Sequence, residues 1–198
     1  MINGHRLHLY IMNTLKTLQW ALPAMAILAF SSCEKEDPIV PNEEEVITTL
    51  VYTLTPQGGG TAVEFRFTDL DGDGGDAPVI TNGTLDTNTV YNGSLTLLNE
   101  AETPVENITV EVEEEGADHQ FFFAITGANA SVDYADADAD GNPIGLSTTF
   151  STTAASTGTL VVTLRHEPDK GATGVAGGDI TNAGGETDIE VTFDLTIQ

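Results

Sequence analysis

The sequence predicts an all-β fold, a single antiparallel β-sandwich of immunoglobulin-like or related topology. Three observations predict it. Apolar residues recur with a period of two through most of the chain after residue 45. Clusters rich in Gly, Asn and Pro separate those runs. Threonine (28 residues) and glycine (20 residues) are both abundant, which favours strands and turns over helices. No useful 3.6-residue apolar pattern appears beyond the N-terminal segment.

Each run justifies a strand in turn. Val46, Leu50, Tyr52 and Leu54 share one phase with Thr48. Val63, Phe65 and Phe67 alternate with Glu64, Arg66 and Thr68. Leu95 and Leu97 flank Thr96, and Ile108, Val110 and Val112 alternate with Thr109, Glu111 and Glu113. Phe121, Phe123 and Ile125 form a further run, as do Leu160, Val162 and Leu164. Ile189, Val191, Phe193, Leu195 and Ile197 close the chain. Every run gives one apolar and one wet face, so seven to nine strands pair into a sandwich. The turns between them are expected at 57–60, Asn82-Gly83, Asn92-Gly93, 141–143 and Gly184-Gly185. Residues 167–184 form a long Gly-rich loop before the last strand.

The N-terminal segment has a different character. Residues 17–30 are an apolar run, too short for a comfortable membrane span of about 20 residues. Arg6 and Lys16 precede or open it, and no acidic residue occurs before Glu34. That is the layout of a secretory signal peptide over 1–32, with Met12 as an alternative start. The run ends Phe30-Ser31-Ser32-Cys33, which resembles the lipobox of bacterial lipoproteins. The resemblance implies that Cys33, the single cysteine, is acylated and becomes the mature N-terminus. More than one acyl chain makes a stable anchor where one is marginal. Glu34-Lys35-Glu36-Asp37 then resembles the lipoprotein export signal of Bacteroidota, which implies an outer-membrane, cell-surface location. Residues 33–45 carry two prolines and no apolar period, so they read as the acylated cysteine followed by an extended acidic tether. The sandwich then occupies 46–198.

Charge excludes one large class of function. The chain has 31 acidic and 6 basic residues, a net charge of -25. Residues 33–198 hold all 31 acids and 4 of the bases, a net of -27, and would repel nucleic acid. Much of this charge belongs to the wet faces of strands.

Two segments concentrate carboxylates with ligand-like spacing. Asp69, Asp71, Asp73 and Asp76 lie in DLDGDGGD, a D-x-D-x-D-G spacing that suits Ca²⁺ with its hard oxygen ligands. Ile80 stands where an EF-hand would place its closing Glu. Asp136, Asp138 and Asp140 repeat the spacing in DADADGN, with Ser147 at the closing position. Both segments also read as ordinary hairpin loops. Calcium is therefore the expected cofactor, stabilising one or both loops.

His119 and His166 fall in the core phase of their strands, each at a strand end and each beside an acid (Asp118, Glu167). They are expected either to be half-buried and hydrogen-bonded or to meet at one rim and bind a transition metal with a carboxylate. No other constellation carries chemistry. Gly58-Gly59-Gly60 lacks a P-loop's Gly-Lys-Ser/Thr. No Ser has a G-x-S-x-G context, so no catalytic residue is assigned and the chain is not expected to be an enzyme.

Beyond the lipobox, residues 43–198 resemble a group of uncharacterised lipoproteins from marine and environmental Bacteroidota. The resemblance lies at EEEVITTLVYTLTPQGGGTAV, DLDGDG, EEEGADHQFFF, LRHEP and GGETDIEVTF. Members are often labelled type 1 periplasmic-binding fold proteins, which implies parallel sheets with crossover helices. The period-two strands argue against that label. The expectation is a surface lipoprotein with a non-catalytic binding or adhesion-type sandwich. It would be held to the membrane by lipid and directed at a protein or glycan partner. The alternative is a transition-metal-capturing lipoprotein that serves an outer-membrane importer.

Overall fold

A computed structural model describes residues 46–72 and 75–198. The segments expected to be signal peptide and tether, with Cys33, and Asp73 lie outside the described residues.

The described chain is a two-layer β structure. One sheet holds six strands: β1 (Thr49–Pro56), β2 (Val63–Thr68), β3 (Val79–Thr81), β5 (Val90–Leu98), β7 (Ala130–Tyr134) and β8 (Ser147–Thr152), in the order β3-β2-β1-β5-β8-β7. The other holds β4 (Thr84–Leu85), β6 (His119–Thr126), β9 (Ser156–His166) and β10 (Glu186–Ile197), in the order β4-β10-β9-β6. Neighbours are antiparallel, except that β4 runs parallel to the end of β10. The parallel sheets with crossover helices implied by the periplasmic-binding label do not occur among the described residues.

The period-two reading works because each apolar face meets the other sheet. Leu50, Tyr52, Phe65, Leu95 and Phe150 pack from the first sheet against Phe121, Leu160, Val162 and Phe193 of the second. Phe65 and Phe193 meet edge to face across the layers, with ring centroids 5.6 Å apart.

Two expectations are corrected. The run at 108–112 is a helix, α1 (Ile108–Glu114). Residues 108 and 112 satisfy both a period of two and an i, i+4 helical face, and only Val110 separates the readings. Ile108 and Val112 are buried, while Val110 is exposed. Asn107 caps the helix by accepting from the Thr109 amide. Thr109 Oγ1 also accepts from Leu97 N (2.8 Å) and donates to Leu97 O (3.2 Å), which ties the first turn to the end of β5. The second correction concerns Asn92-Gly93, which lies inside β5 and is not a turn. A Cβ at Gly93 would stand 2.2 Å from Thr148 Oγ1 and 2.8 Å from Tyr52 OH. The glycine leaves room for the buried Tyr52–Thr148 hydrogen bond (2.6 Å), which crosses β5 from β1 to β8.

The Gly-rich loop is ordered by what it covers. It contains two short 3₁₀ turns, Val175–Gly177 and Ile180–Asn182, and lies on the outer face of β6. Phe122, Val175 and Ala183 form a second apolar cluster there. Gln120 Nε2 donates to Val175 O (2.8 Å). The loop thus buries two residues that simple alternation would leave in water.

Candidate metal centre

Strand register places the two histidines side by side. β6 and β9 pair so that His119 lies opposite His166, one step beyond the core pairing of Phe121 with Leu164. Both rings share the inner phase, and they stack with centroids 4.7 Å apart and planes 21° from parallel. His119 is fully buried and the His166 side chain is 8% exposed.

The third member comes from β10 and was not legible as one. Strict alternation from Ile189 through Ile197 sends Asp188 to the wet face. The β9–β10 register shifts between Thr187 and Ile189, so Asp188 is the extra residue of a bulge. A bulge re-aims a side chain, and here it carries the carboxylate inward beside the histidines. The Asp188 side chain is 1% exposed. Its Oδ2 lies 3.9 Å from His119 Nε2, and its Oδ1 lies 3.7 Å from His166 Nδ1. Nothing in a Thr-Asp-Ile-Glu strand start marks the bulge in advance.

These three side chains have the donor set of a transition-metal site. One atom from each lies within 4.8 Å of the others. Around a tetrahedral ion with bonds near 2.0–2.1 Å, neighbouring donors stand about 3.3 Å apart, so a contraction of the order of 1 Å closes the site. His119 Nδ1 lies 3.2 Å from Glu115 O, at the C-terminal end of α1. A proton on Nδ1 donated to that carbonyl leaves the Nε2 lone pair toward Asp188, the outer-shell arrangement typical of ligating histidines. Two imidazoles and one carboxylate suit zinc and its neighbours better than calcium, which takes oxygen.

The two Asp segments part company. In the second, Asp136 Oδ1 and Oδ2 accept from Gly145 N and Ser147 N, each at 2.8 Å. Asp138 Oδ1 accepts from Asp140 N (3.0 Å) and Asn142 N (2.9 Å). Its Oδ2 meets the Lys170 ammonium at 2.9 Å. That ammonium also donates to Gly116 O (2.5 Å) and Pro143 O (3.0 Å), and the Lys170 side chain is only 5% exposed. Lys170, from the Gly-rich loop, stands where sequence reasoning placed an ion; a basic residue 32 positions away gives no spacing signal. Burial pushes the Asp138 carboxyl upward. Hydrogen bonds from Lys170 and the Asn142 amide, together with the ammonium charge, outweigh it and leave the pKa below its ordinary value. Asp140 is exposed.

In the first segment the described carboxylates accept from backbone amides. Asp69 Oδ1 accepts from Gly72 N (2.9 Å) and Asp71 Oδ2 from Asp76 N (2.8 Å). Asp71 and Asp76 are exposed. Asp69 and Asp71 border a cleft of about 420 Å³ that also takes in Ile47, Thr48, Phe67 and Asp188. A second cleft, of about 530 Å³, lies between α1 and residues 136–147, over Leu95, Ile144 and Leu146.

Comparison of the chain with protein-family models, with curated proteins and with solved structures finds no match.

Proposed function

We propose that this protein is a surface lipoprotein whose β-sandwich binds a divalent transition-metal ion at His119, His166 and Asp188. The observation that carries the reading is the convergence of these three buried donors from three adjacent strands. Two imidazoles and a carboxylate brought this close together offer nitrogen and oxygen donors to one ion. The anchor rests on the Cys33 lipobox and the EKED segment, which support an outer-membrane location facing outward.

The proposed role is binding, not catalysis. A lipid-anchored protein holding zinc or a similar ion suits capture or delivery, in service of an outer-membrane importer. Calcium at the first aspartate segment is a second, separable proposal, favoured by the carboxylates of Asp69 and Asp71 lining one cleft.

Isothermal titration of the full chain, purified in detergent and stripped with chelator, tests the main reading. We expect one Zn²⁺ per chain, and affinity at least 100-fold weaker in Asp188→Asn or His166→Gln with folding retained by circular dichroism. Wild-type protein that takes up no zinc would refute it.

A further inference from the structure

The proposed ion lies behind the protein surface, so it needs a way in. His119 is fully buried and Asp188 nearly so. On one side His119 backs onto the Glu115 carbonyl, and below it the core pair Phe121 and Leu164 closes the sandwich. Asp188 is the ligand that borders an open cleft. That cleft, about 420 Å³, runs from Asp188 and Ile189 out to Asp69, Leu70, Asp71 and Gly72. Its apolar lining gives low-dielectric walls, and its outer end carries two carboxylates. Such a cleft focuses the field of its charges and raises the local concentration of counter-ions.

We propose that this cleft is the route by which a divalent cation reaches the His119–His166–Asp188 site, with Asp69 and Asp71 as the carboxylates it meets first. The inference rests on the metal-binding reading above and names how that site is loaded. A hydrated ion is drawn to Asp69 and Asp71, exchanges water for carboxylate oxygen, and passes to Asp188. It then takes the two imidazole nitrogens. Each step replaces an oxygen ligand before the ion is committed to the buried triad, so no bare cation crosses the apolar wall. Asp69 and Asp71 then serve the ion in transit, and the buried triad holds it.

Stopped-flow uptake of Co²⁺, read by its visible absorption in the full chain, tests the route. Two variants separate its parts. In Asp69→Asn/Asp71→Asn we expect association at low salt to slow by about 10-fold and to lose most of its salt dependence. Ala101→Trp places an indole over the cleft from an exposed position. It should slow uptake and release by the same factor and leave the equilibrium affinity unchanged. Wild-type rates in both variants would overturn the route and point to access past the partly exposed His166 edge, with metal binding itself intact. Failure of the wild-type chain to take up Co²⁺ would overturn the metal-binding reading, and this inference with it.

Discussion

Residues 69–76 and 136–142 carry the same spacing of aspartates, yet the described carboxylates of the two segments are held differently. In the second loop every carboxylate oxygen of Asp136 and Asp138 has a partner, and a buried lysine supplies the positive charge. In the first, Asp69 and Asp71 each receive one backbone amide and stand at the mouth of a cleft. The spacing dictates a tight turn that gathers carboxylates. Whether that cluster serves structure or an ion depends on what the rest of the chain brings to it. Here Lys170 decides the matter for one loop only.

Several measurements sharpen or break this contrast. The largest effect should come from Lys170→Met. It strips the cation from a buried carboxylate and leaves the Gly116 and Pro143 carbonyls without their donor. Breaking a buried pair this way costs about 3–5 kcal/mol. Thermal unfolding should therefore fall by roughly 10 °C for a domain of this size. An unchanged melting temperature would show the ammonium to be incidental.

Asp136→Asn should cost less, about 1–3 kcal/mol, because one amide donor at Gly145 or Ser147 then faces an NH₂ group. Chemical denaturation would measure it.

Acid gives a third contrast. The Asp138 carboxyl has its pKa lowered in the folded state, so its stabilising contribution is complete above the unfolded value near 3.9. It is lost as pH falls from there through the folded value. Melting temperature followed from pH 6 to pH 2 should drop less steeply in Asp138→Asn than in the wild type. Parallel curves would remove Asp138 from the acid response. At the small end, Asp71→Asn sits on an exposed loop and should shift stability by no more than about 0.5 kcal/mol. A larger loss would mean that the first loop, too, is a structural clamp.

Much of the fold was legible because alternation is a direct image of a two-layer sandwich. Leu50, Tyr52 and Leu54 are all fully buried, as their phase requires. The signal failed where polar residues do apolar work. β8 presents Ser147–Thr152 with a single apolar residue, Phe150, and buries Thr148 and Thr152 beside it. α1 was hidden because its two core residues fit both periods. Two of the three residues of the candidate site were legible. His119 and His166 lie in the core phase of strands that turn out to be neighbours. Asp188 was invisible because its inward position comes from a bulge, which is a property of β-strand pairing and not of the local sequence. Lys170 was missed because its partners lie 27 to 54 residues away along the chain.

The contrast between a nitrogen-bearing site and two oxygen-only loops makes the ion's ligand shell the deciding observable. X-ray absorption at the zinc edge of the full chain, loaded with one equivalent and washed, reads that shell directly. The prediction is two imidazole nitrogens with carboxylate oxygen completing the protein donors, all at about 2.0–2.1 Å. The imidazole scattering should fall by half in His166→Gln. A shell of oxygen alone, as Asp69 and Asp71 would supply, would contradict the assignment of His119, His166 and Asp188.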